Sequence, residues 1–466
     1  MFVEADFQPP ITTHRIMRLH PHKFLAAWLI SGLLTCSVFA ADASEWMIGA
    51  AKVDITPDYP VRMSGYGGRR LETKEIEQRL HAKAIAFGRD SEQPAVLLTV
   101  DNCGVGVNVR NELVKRLAAK TKVVDARVAI CSSHTHSAPM LVGVLNNIFS
   151  ESISPEHWAN IERYTRDLTD KLEQVALAAL ANRQPAKLAW GSGHVSFAHN
   201  RRNYVFRPED HSLPVLRVVG ADGKVRALLT SYACHCTTTG FNKFHADWAG
   251  CAQEVMEKEF PGAIALTAIG CGADQNPNPR GTYEHAIEYG NQLGAEAKRL
   301  ASGTTLHPLL SKLECRTEQI SLPFDKLPTR AEWEAKTKEK GGVSYNAKVQ
   351  LAKLDRGETL PTSLPYLVQV WNFGRDLAMV FLPGEVVVDY SLRLKRELDA
   401  ERLWVNGYSN DVPCYIPSER ILQEGGYEGG GSMPIYDRPN RFAPGVENRI
   451  IGAVHKIMPA DFKRPW

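Results

Sequence analysis

Six short runs of aliphatic and β-branched residues, each the length of one buried strand, most constrain how this 466-residue chain can fold. They are predicted strands at residues 95–100, 128–131, 227–232, 264–269, 377–382 and 403–405. Helical periodicity lies between them, most clearly in the recurrence of Trp158, Ile161, Tyr164, Leu168, Leu172 and Val175. This alternation predicts the α/β class, as a mixed α+β layered domain whose β-sheet core is flanked by helices.

Weaker patterns complete this outline. Residues 287–297 carry a second helical pattern, a charged stretch from Thr329 to near Arg356 predicts a further helix, and a last helix lies near Val454. Residues 357–365 are predicted to form a loop.

Four of the predicted strands run directly into residue types that bind metals. The stretches that follow them are 132–136 (SSHTH), 234–236 (CHC), 270–276 (GCGADQN) and 383–385 (PGE). In layered α/β folds, ligands collect at the carboxyl ends of strands. We therefore expect one shared metal site at these strand ends.

The His134-Thr135-His136 step is the first candidate in this set. In an extended backbone alternate side chains share a face, so both imidazoles could bind one metal, or one could bind it while the other transfers protons. The alternative is a pair of partly exposed histidines in a polar loop.

His235 lies between two cysteines, and three interpretations remain open. The imidazole could bind a metal, Cys234 or Cys236 could supply thiolates to a structural zinc site, or the cysteines could act as small hydrophobic residues. In an extended strand His235 would face away from both cysteines.

Three further residues are ambiguous on local evidence. Glu385 is predicted to precede a helix that begins at Val386, where a carboxylate is favoured with or without a metal. Tyr415 has the local character of a packed aromatic residue. Tyr427 lies in a glycine-rich loop, where its phenol could reach a substrate or cover the surface.

The N-terminus predicts export. Arg15, Arg18 and Lys23 precede an apolar stretch over residues 24–40, which is typical of a cleaved signal peptide spanning residues 1–40. We expect a periplasmic or secreted protein whose catalytic domain covers residues 41–466. The net charge of +3 is evenly distributed and argues against a nucleic-acid partner.

Eight motifs occur in the order found in one enzyme family. They are residues 51–57 (AKVDITP), 65–67 (GYG), 133–137 (SHTHS), 200–201 (NR), 235–237 (HCT), 381–385 (FLPGE), 415–416 (YI) and 427–428 (YE). In these motifs the sequence resembles the neutral, non-lysosomal ceramidases. The HExxH, GxSxG, P-loop and dinucleotide-binding motifs are all absent from the sequence.

The resemblance implies a set of roles. Zn²⁺ would be bound by His134, His235, Glu385 and Tyr415. His136 and Arg201 would line the site, and Tyr427 would support the reacting oxygen. The family hydrolyses the amide of ceramide, which implies a small-molecule or lipid amide substrate and peripheral contact with a membrane; oligomeric state stays open.

Two departures from the family concern the substrate. The family carries Gly-Asp-X-Ser-Pro-Asn with a serine needed for activity, whereas residues 273–278 read Ala-Asp-Gln-Asn-Pro-Asn. Asn276 occupies the serine position, and an amide cannot act as a hydroxyl nucleophile. The sequence also ends soon after the predicted helix near Val454, so we expect the catalytic domain without the family's C-terminal immunoglobulin-like domain.

The leading hypothesis is an exported zinc-dependent hydrolase in which zinc activates water directly. His136 would act as general base and acid, Arg201 and Tyr427 would stabilise the oxyanion, and Asn276 would donate a hydrogen bond to the substrate. The bond cleaved would be an amide, with an ester second. The alternatives are a catalytically inactive lipid- or glycan-binding protein, and a structural zinc site on the cysteines around His235.

Overall fold

The computed structural model describes residues 46–464. The predicted signal peptide, residues 1–40, lies outside the described residues. None of the helices within 46–464 has both the length and the apolar character needed to cross a bilayer.

Residues 46–464 form nineteen strands. In chain order they are β1 Trp46–Asp54, β2 Val61–Arg62, β3 Glu72–Thr73, β4 His81–Phe87, β5 Ala95–Val100, β6 Val128–Ser132, β7 Gln184–His194, β8 Ala198–Asn200, β9 Ser212–Gly220, β10 Val225–Tyr232, β11 Ile264–Ile269, β12 Gln275–Pro277, β13 His307–Pro308, β14 Leu313–Pro323, β15 Ser363–Phe373, β16 Leu377–Phe381, β17 Glu385–Val386, β18 Leu403–Asn406 and β19 Tyr415–Ile416.

The same residues form nine α-helices and several single turns. The helices are α1 Val107–Lys120, α2 Pro155–Ala181, α3 Asp247–Glu259, α4 Tyr283–Ser302, α5 Arg330–Lys336, α6 Gly341–Asp355, α7 Val388–Glu397, α8 Glu419–Glu424 and α9 Val446–Ile457. The 3₁₀ turns are Asp90–Glu92, Asp125–Arg127, Ala400–Arg402, Met433–Tyr436 and Ala460–Phe462, and Tyr427–Gly431 forms one π-helical turn.

All six strands predicted from the aliphatic runs are confirmed, as β5, β6, β10, β11, β16 and β18. The helical pattern from Trp158 corresponds to α2, which begins where the Ser154 side chain accepts a hydrogen bond from the backbone N–H of His157. The second pattern corresponds to α4, and the predicted last helix corresponds to α9.

Two local predictions hold only in part. A helix does follow Thr329, as α5, but the charged stretch contains a second helix, α6, because the chain turns between them and enters α6 at Gly341 with a φ of 61° that an α-helix does not allow. The predicted loop over residues 357–365 ends early, since β15 begins at Ser363 and pairs with β14.

Two sheets form the core of the fold. The larger has the order β11-β10-β9-β7-β1-β4-β5-β6, with β13 paired to β7. Its pairs are antiparallel except β5–β6 and β10–β11. The smaller has the order β14-β15-β16-β18. The predicted mixed α/β layered architecture is therefore confirmed.

Alternating side chains along the strands separate the layers. In β4, Ala84 and Ala86 belong to the hydrophobic cluster that includes α1 and α2, whereas Ile85 and Phe87 belong to a cluster shared with the smaller sheet. This period of two is expected for a strand that is buried on both faces. Helices α3 and α4 pack on the larger sheet, and α9 packs on β14 and β15 of the smaller one.

The segment that follows β18, residues 407–410, joins the two edges of the larger sheet. On one side, the N–H of Asn410 donates to the carbonyl of Ile130 in β6, with an N–O distance of 2.7 Å. On the other side, the N–H of Gly407 donates to the carbonyl of Ile269 in β11, at 3.0 Å. This segment therefore holds the carboxyl ends of β6, β11 and β18 close together.

Candidate metal centre

Three of the four predicted ligands follow the ends of core strands, and the fourth, Tyr415, pairs with one of them. His134 follows β6, His235 follows β10, Glu385 begins β17 after β16, and Tyr415 begins β19. All four are buried, with at most 3% of any one exposed. Their convergence comes from four separate parts of the sequence.

His134 turns toward this centre through an unusual backbone conformation. Its φ is 55°, in the left-handed region that residues with a side chain seldom adopt. The prediction that both histidines share a face because the backbone is extended is therefore wrong in its reason, although both imidazoles do point to one place. The Nδ1 of His134 donates to the carbonyl of Cys103, 2.6 Å away, which leaves Nε2 facing the centre.

His235 has the equivalent arrangement. Its Nδ1 lies 2.9 Å from the carbonyl of Gly272, and Nε2 lies 3.1 Å from Oε2 of Glu385. A backbone acceptor at Nδ1 fixes the tautomer and the ring orientation, as is usual for metal-binding histidines.

Glu385 and Tyr415 are direct neighbours in the parallel ladder of β17 and β19. The turn before Glu385 needs Gly384, whose φ is 85° and whose missing Cβ would lie 2.7 Å from Cγ1 of Ile416. Glu385 is not at the start of a helix as predicted, because α7 begins only at Val388. The N–H of Val388 donates instead to Asp274, at 2.8 Å.

The ligand atoms meet at one point. Oε2 of Glu385 lies 3.3 Å from Nε2 of His134, and Nε2 of His235 lies 3.2 Å from the hydroxyl of Tyr415. His134, His235 and Glu385 form a buried group with the spacing that could hold a metal ion. Nitrogen and oxygen donors of this kind, each already oriented by a neighbour, fit Zn²⁺.

The three buried groups strongly shift one another's pKa values. Burial would raise the pKa of Glu385, but the charge of His134 and hydrogen bonds from both histidines hold it well below its usual range. Burial and the charge of Arg201 lower the pKa of His235 to about 4. Burial also lowers the pKa of His134, but the Glu385 carboxylate outweighs it and raises this pKa to about 10. At neutral pH these pKa values leave the Glu385 carboxylate ionised, His134 protonated and His235 neutral, so His134 would have to lose its proton to bind a metal.

His136 lies beside the centre and faces its open side. Its Nε2 is 3.0 Å from Nε2 of His134, and its ring packs edge-on against Tyr66, with centroids 4.8 Å apart. Gly65 makes room for it, since a Cβ there would lie 2.4 Å from Cγ of His136. Arg69 donates hydrogen bonds to the carbonyls of His136, Ser64 and Phe241, and so ties the His136 loop to two neighbouring segments. Burial and the neighbouring histidines lower the pKa of His136 well below its usual value.

Arg201 connects the centre to a cleft. One guanidinium nitrogen donates to the hydroxyl of Tyr415 at 2.9 Å, and Nε donates to Oε1 of Glu428 at 2.9 Å. Glu428 also binds Arg202 at 2.6 Å, so the two arginines are held by one buried carboxylate.

Asn276 and Tyr427 line the same cleft. Oδ1 of Asn276 accepts from Arg201 at 3.4 Å and from the hydroxyl of Thr237 at 3.5 Å. The ring of Tyr427 lies edge-on to Tyr415, with centroids 5.2 Å apart, and about half of Tyr427 is exposed. The structure thus brings all eight candidate residues to one centre and its adjoining cleft.

Sequence analysis missed three aromatic or acidic contacts. The hydroxyl of Tyr436 donates to Oε1 of Glu385, the ring of Tyr408 lies 4.4 Å from that of His134, and Glu428 holds Arg201. Glu428 follows Tyr427 in a recognised motif and could have been noticed. Nothing local marks the two tyrosines, since each depends on the tertiary fold.

Other ligand sets fit less well. A second group of suitable spacing contains Cys103, His134 and His136, but Nδ1 of His134 is already occupied by the Cys103 carbonyl. Neither cysteine beside His235 belongs to a candidate group within residues 46–464. Both are packed in a hydrophobic cluster with Trp248, and burial raises the pKa of both thiols. The alternative of a structural zinc site on these cysteines is therefore not supported within residues 46–464.

The comparison with known families matches residues 46–270 to the neutral/alkaline non-lysosomal ceramidase, N-terminal family. That segment contains His134, His136, Arg201 and His235, whereas the other four candidate residues lie beyond it.

Curated relatives extend the match. The neutral ceramidase of Drosophila pseudoobscura pseudoobscura is 25% identical over 285 residues, which cover 55% of this chain and 39% of that protein. Neutral ceramidase A of Dictyostelium discoideum is 23% identical over 368 residues, which cover 68% of this chain and 50% of that protein. The matched regions thus span half or less of the length of these relatives.

Two solved structures share the fold over almost the whole chain. A ceramidase complexed with C2 superposes with a TM-score of 0.70 at 19% identity, covering 90% of this chain and 77% of that one. A neutral ceramidase from Pseudomonas aeruginosa superposes with a TM-score of 0.69 at 21% identity, covering 91% of this chain and 76% of that one. The resemblance read from the ordered motifs is confirmed: residues 46–270 match the neutral/alkaline non-lysosomal ceramidase family, and the fold is that of the solved neutral ceramidases.

Proposed function

We propose that the chain is a zinc-dependent hydrolase that cleaves the amide bond of an N-acyl lipid or a related amide, with an ester as the second candidate. One catalytic domain over residues 41–466 would carry this activity, exported to the periplasm or secreted after removal of the signal peptide. The match of residues 46–270 to the ceramidase family supports the reaction class. Relatives named as neutral ceramidases support an amide of the ceramide type.

One observation carries the proposal. Nε2 of His134 and of His235 both face Oε2 of Glu385 within 3.3 Å, while each Nδ1 is occupied by a backbone carbonyl. With the hydroxyl of Tyr415 beside them, these atoms would hold the metal. When bound, zinc lowers the pKa of a coordinated water from about 15.7 to about 7, which supplies a nucleophile near neutral pH.

His136 is the proposed proton carrier. Its lowered pKa keeps the imidazole neutral, so Nε2 can take a proton from the attacking water. The same atom would then return the proton to the leaving amine. The contacts with Tyr66 and Arg69 keep the ring and its loop in place for this exchange.

Arg201 and Tyr427 are the proposed donors to the oxyanion. Arg201 is already oriented by Glu428 and by the Tyr415 hydroxyl, so it needs little reorganisation when charge develops. Asn276 would position the substrate by a hydrogen bond in place of the family's serine. This assignment needs no serine nucleophile.

A single preparation tests the proposal. Purified mature protein is assayed for zinc by mass spectrometry and for hydrolysis of a panel of N-acyl amides and matched esters. We expect about one zinc per chain and cleavage of at least one amide series. One zinc per chain with no hydrolysis across the panel would overturn the proposal.

Tyr436 should tune the metal centre, although it is not a proposed ligand. Tyr436→Phe removes the hydrogen bond to Oε1 of Glu385 and should weaken zinc affinity about 10–100-fold, as is typical for such outer contacts. Competition with a chelator measures this. The matched control is Tyr390→Phe, which removes another buried hydroxyl, the donor to the Pro417 carbonyl at 3.0 Å. Equal affinities in the two variants would contradict the role of Tyr436.

Asn276 separates this chain from its relatives and gives another prediction. Asn276→Ala should reduce kcat/KM modestly, because one or two hydrogen bonds are lost at roughly 0.5–1.5 kcal/mol each. Asn276→Ser should give little or no ceramide hydrolysis, since the surrounding pocket must also admit two long chains. Strong ceramidase activity in Asn276→Ser would instead identify the native protein as a disabled ceramidase.

A further inference from the structure

The cleft beside the proposed metal centre is markedly polar. It has a volume of about 470 Å³, and its walls include three arginines, two asparagines, two tyrosines and a glutamate. Arg201 forms the boundary between this cleft and the centre, because it contacts both Tyr415 and Asn276. A substrate held at the centre would therefore extend into these polar walls.

The charges of the cleft do not cancel. Arg201 and Arg202 are compensated by Glu428 and Glu424, which lie 2.6–2.9 Å from their guanidinium nitrogens. Arg280 has no carboxylate within 4.0 Å in the described part of the chain, and its guanidinium makes one long side-chain hydrogen bond, to Thr237 at 3.5 Å. Arg280 thus gives the cleft an uncompensated positive charge.

The neutral groups of the cleft add donors to this charge. Oδ1 of Asn276 is used by Arg201 and Thr237, which directs the Nδ2 amide group to the cleft. Neither this amide group nor the hydroxyl of Tyr427 has an acceptor among residues 46–464. Hydrogen-bond donors therefore outnumber acceptors in this part of the cleft, and a ligand rich in acceptor oxygens would complement them.

We propose that the cleft binds an anionic group, a carboxylate or a phosphate, on the far side of the scissile amide, and that Arg280 determines this specificity. The inference rests on the proposed amide hydrolysis and names its substrate class as N-acyl compounds with an acidic head group. Ceramide is uncharged and offers no partner for Arg280. The same head-group chemistry occurs in lipids and in soluble acids, which differ in acyl length.

Matched substrates test the proposal. The kcat/KM for N-hexanoylglycine and N-hexanoyl-O-phosphoethanolamine is compared with that for the neutral N-(2-hydroxyethyl)hexanamide, and each is repeated with a palmitoyl chain. We expect at least one anionic compound to be preferred roughly tenfold, the effect of one charged hydrogen bond. Preference for the palmitoyl series would identify a lipid, and preference for the hexanoyl series a soluble acid.

Variants assign the preference to one side chain. Arg280→Gln should bring the anionic substrates to the level of the neutral one, and Arg280→Lys should retain part of the preference. Arg207→Gln is the control, because Arg207 is an exposed arginine outside the cleft. Equal rates on anionic and neutral substrates in the wild type, or a preference that survives Arg280→Gln, would overturn the inference.

Binding separates this inference from the proposed function. Calorimetric titration of N-hexanoylglycine and its neutral counterpart is carried out on His136→Ala and on the double variant with Arg280→Gln. If the anion binds in an Arg280-dependent way but the wild type hydrolyses no amide, the proposed anion site stands and the proposed hydrolase activity is rejected. If the wild type hydrolyses the neutral amide but no binding depends on Arg280, the proposed anion site is rejected and the proposed hydrolase activity stands.

Discussion

Replacing either His235 or Glu385 with alanine is expected to remove bound zinc and amide hydrolysis together. Both side chains are almost completely buried, and Nε2 of His235 lies 3.1 Å from Oε2 of Glu385. Loss of either one leaves the metal with an incomplete set of donors and leaves the partner in a buried site without its contact. Zinc content after gel filtration and the rate on the best amide are measured on the same preparation.

A remote histidine–carboxylate pair provides the matched control. Nε2 of His455 in α9 lies 2.8 Å from Oε2 of Glu397 in α7, both side chains are partly exposed, and neither forms a hydrogen bond or ion pair with a proposed ligand. His455→Ala and Glu397→Ala should both keep full zinc content and activity. Circular dichroism and thermal melting show whether the site variants remain folded. Full zinc content in folded His235→Ala and Glu385→Ala would show that the ligand set is wrong.

The second large effect is expected from His136→Ala, which should keep zinc and lose turnover. A general acid–base group typically contributes about 10²–10⁴-fold to the rate, and His136 has no other assigned role. Its Nε2 faces the centre beside His134, but the proposed donor set is complete without it. The measurement is kcat at saturating substrate together with zinc content.

Three outcomes are decisive for His136. Partial recovery of His136→Ala by added imidazole would support proton transfer at this position, because the small base can occupy the space left by the ring. Loss of zinc would make His136 a ligand and would reverse the roles within the His-X-His pair. A normal rate would exclude it from proton transfer.

The positions of the strands and of the strand-end residues were predictable from sequence. The aliphatic runs correspond to β5, β6, β10, β11, β16 and β18, because a strand buried on both faces leaves a continuous apolar run. The polar residues beyond them could be expected to meet, since this is where layered α/β folds place their ligands. Ordered motifs added the family and its proposed ligand set.

What remained hidden depends on tertiary geometry. The left-handed backbone at His134 has no local sequence signal, since glycine is the residue that usually marks such a conformation. The Tyr436 contact with Glu385 joins two turns whose relative positions follow from the packing of the whole fold. The polar cleft likewise needed the structure, because Arg201, Arg280 and Tyr427 come from three separate segments.

The segment at residues 407–410 has a consequence for how the protein matures. While the chain is being synthesised, β6 and β11 are made long before this segment, so their open edges stay available for pairing with other chains. Glu385 and Tyr415 also arrive late, and such long-range contacts form slowly. A fragment of residues 46–270 would therefore expose unpaired strand edges at β6 and β11 and would lack the proposed ligands Glu385 and Tyr415. Zinc uptake would then report that synthesis and folding of the domain are complete.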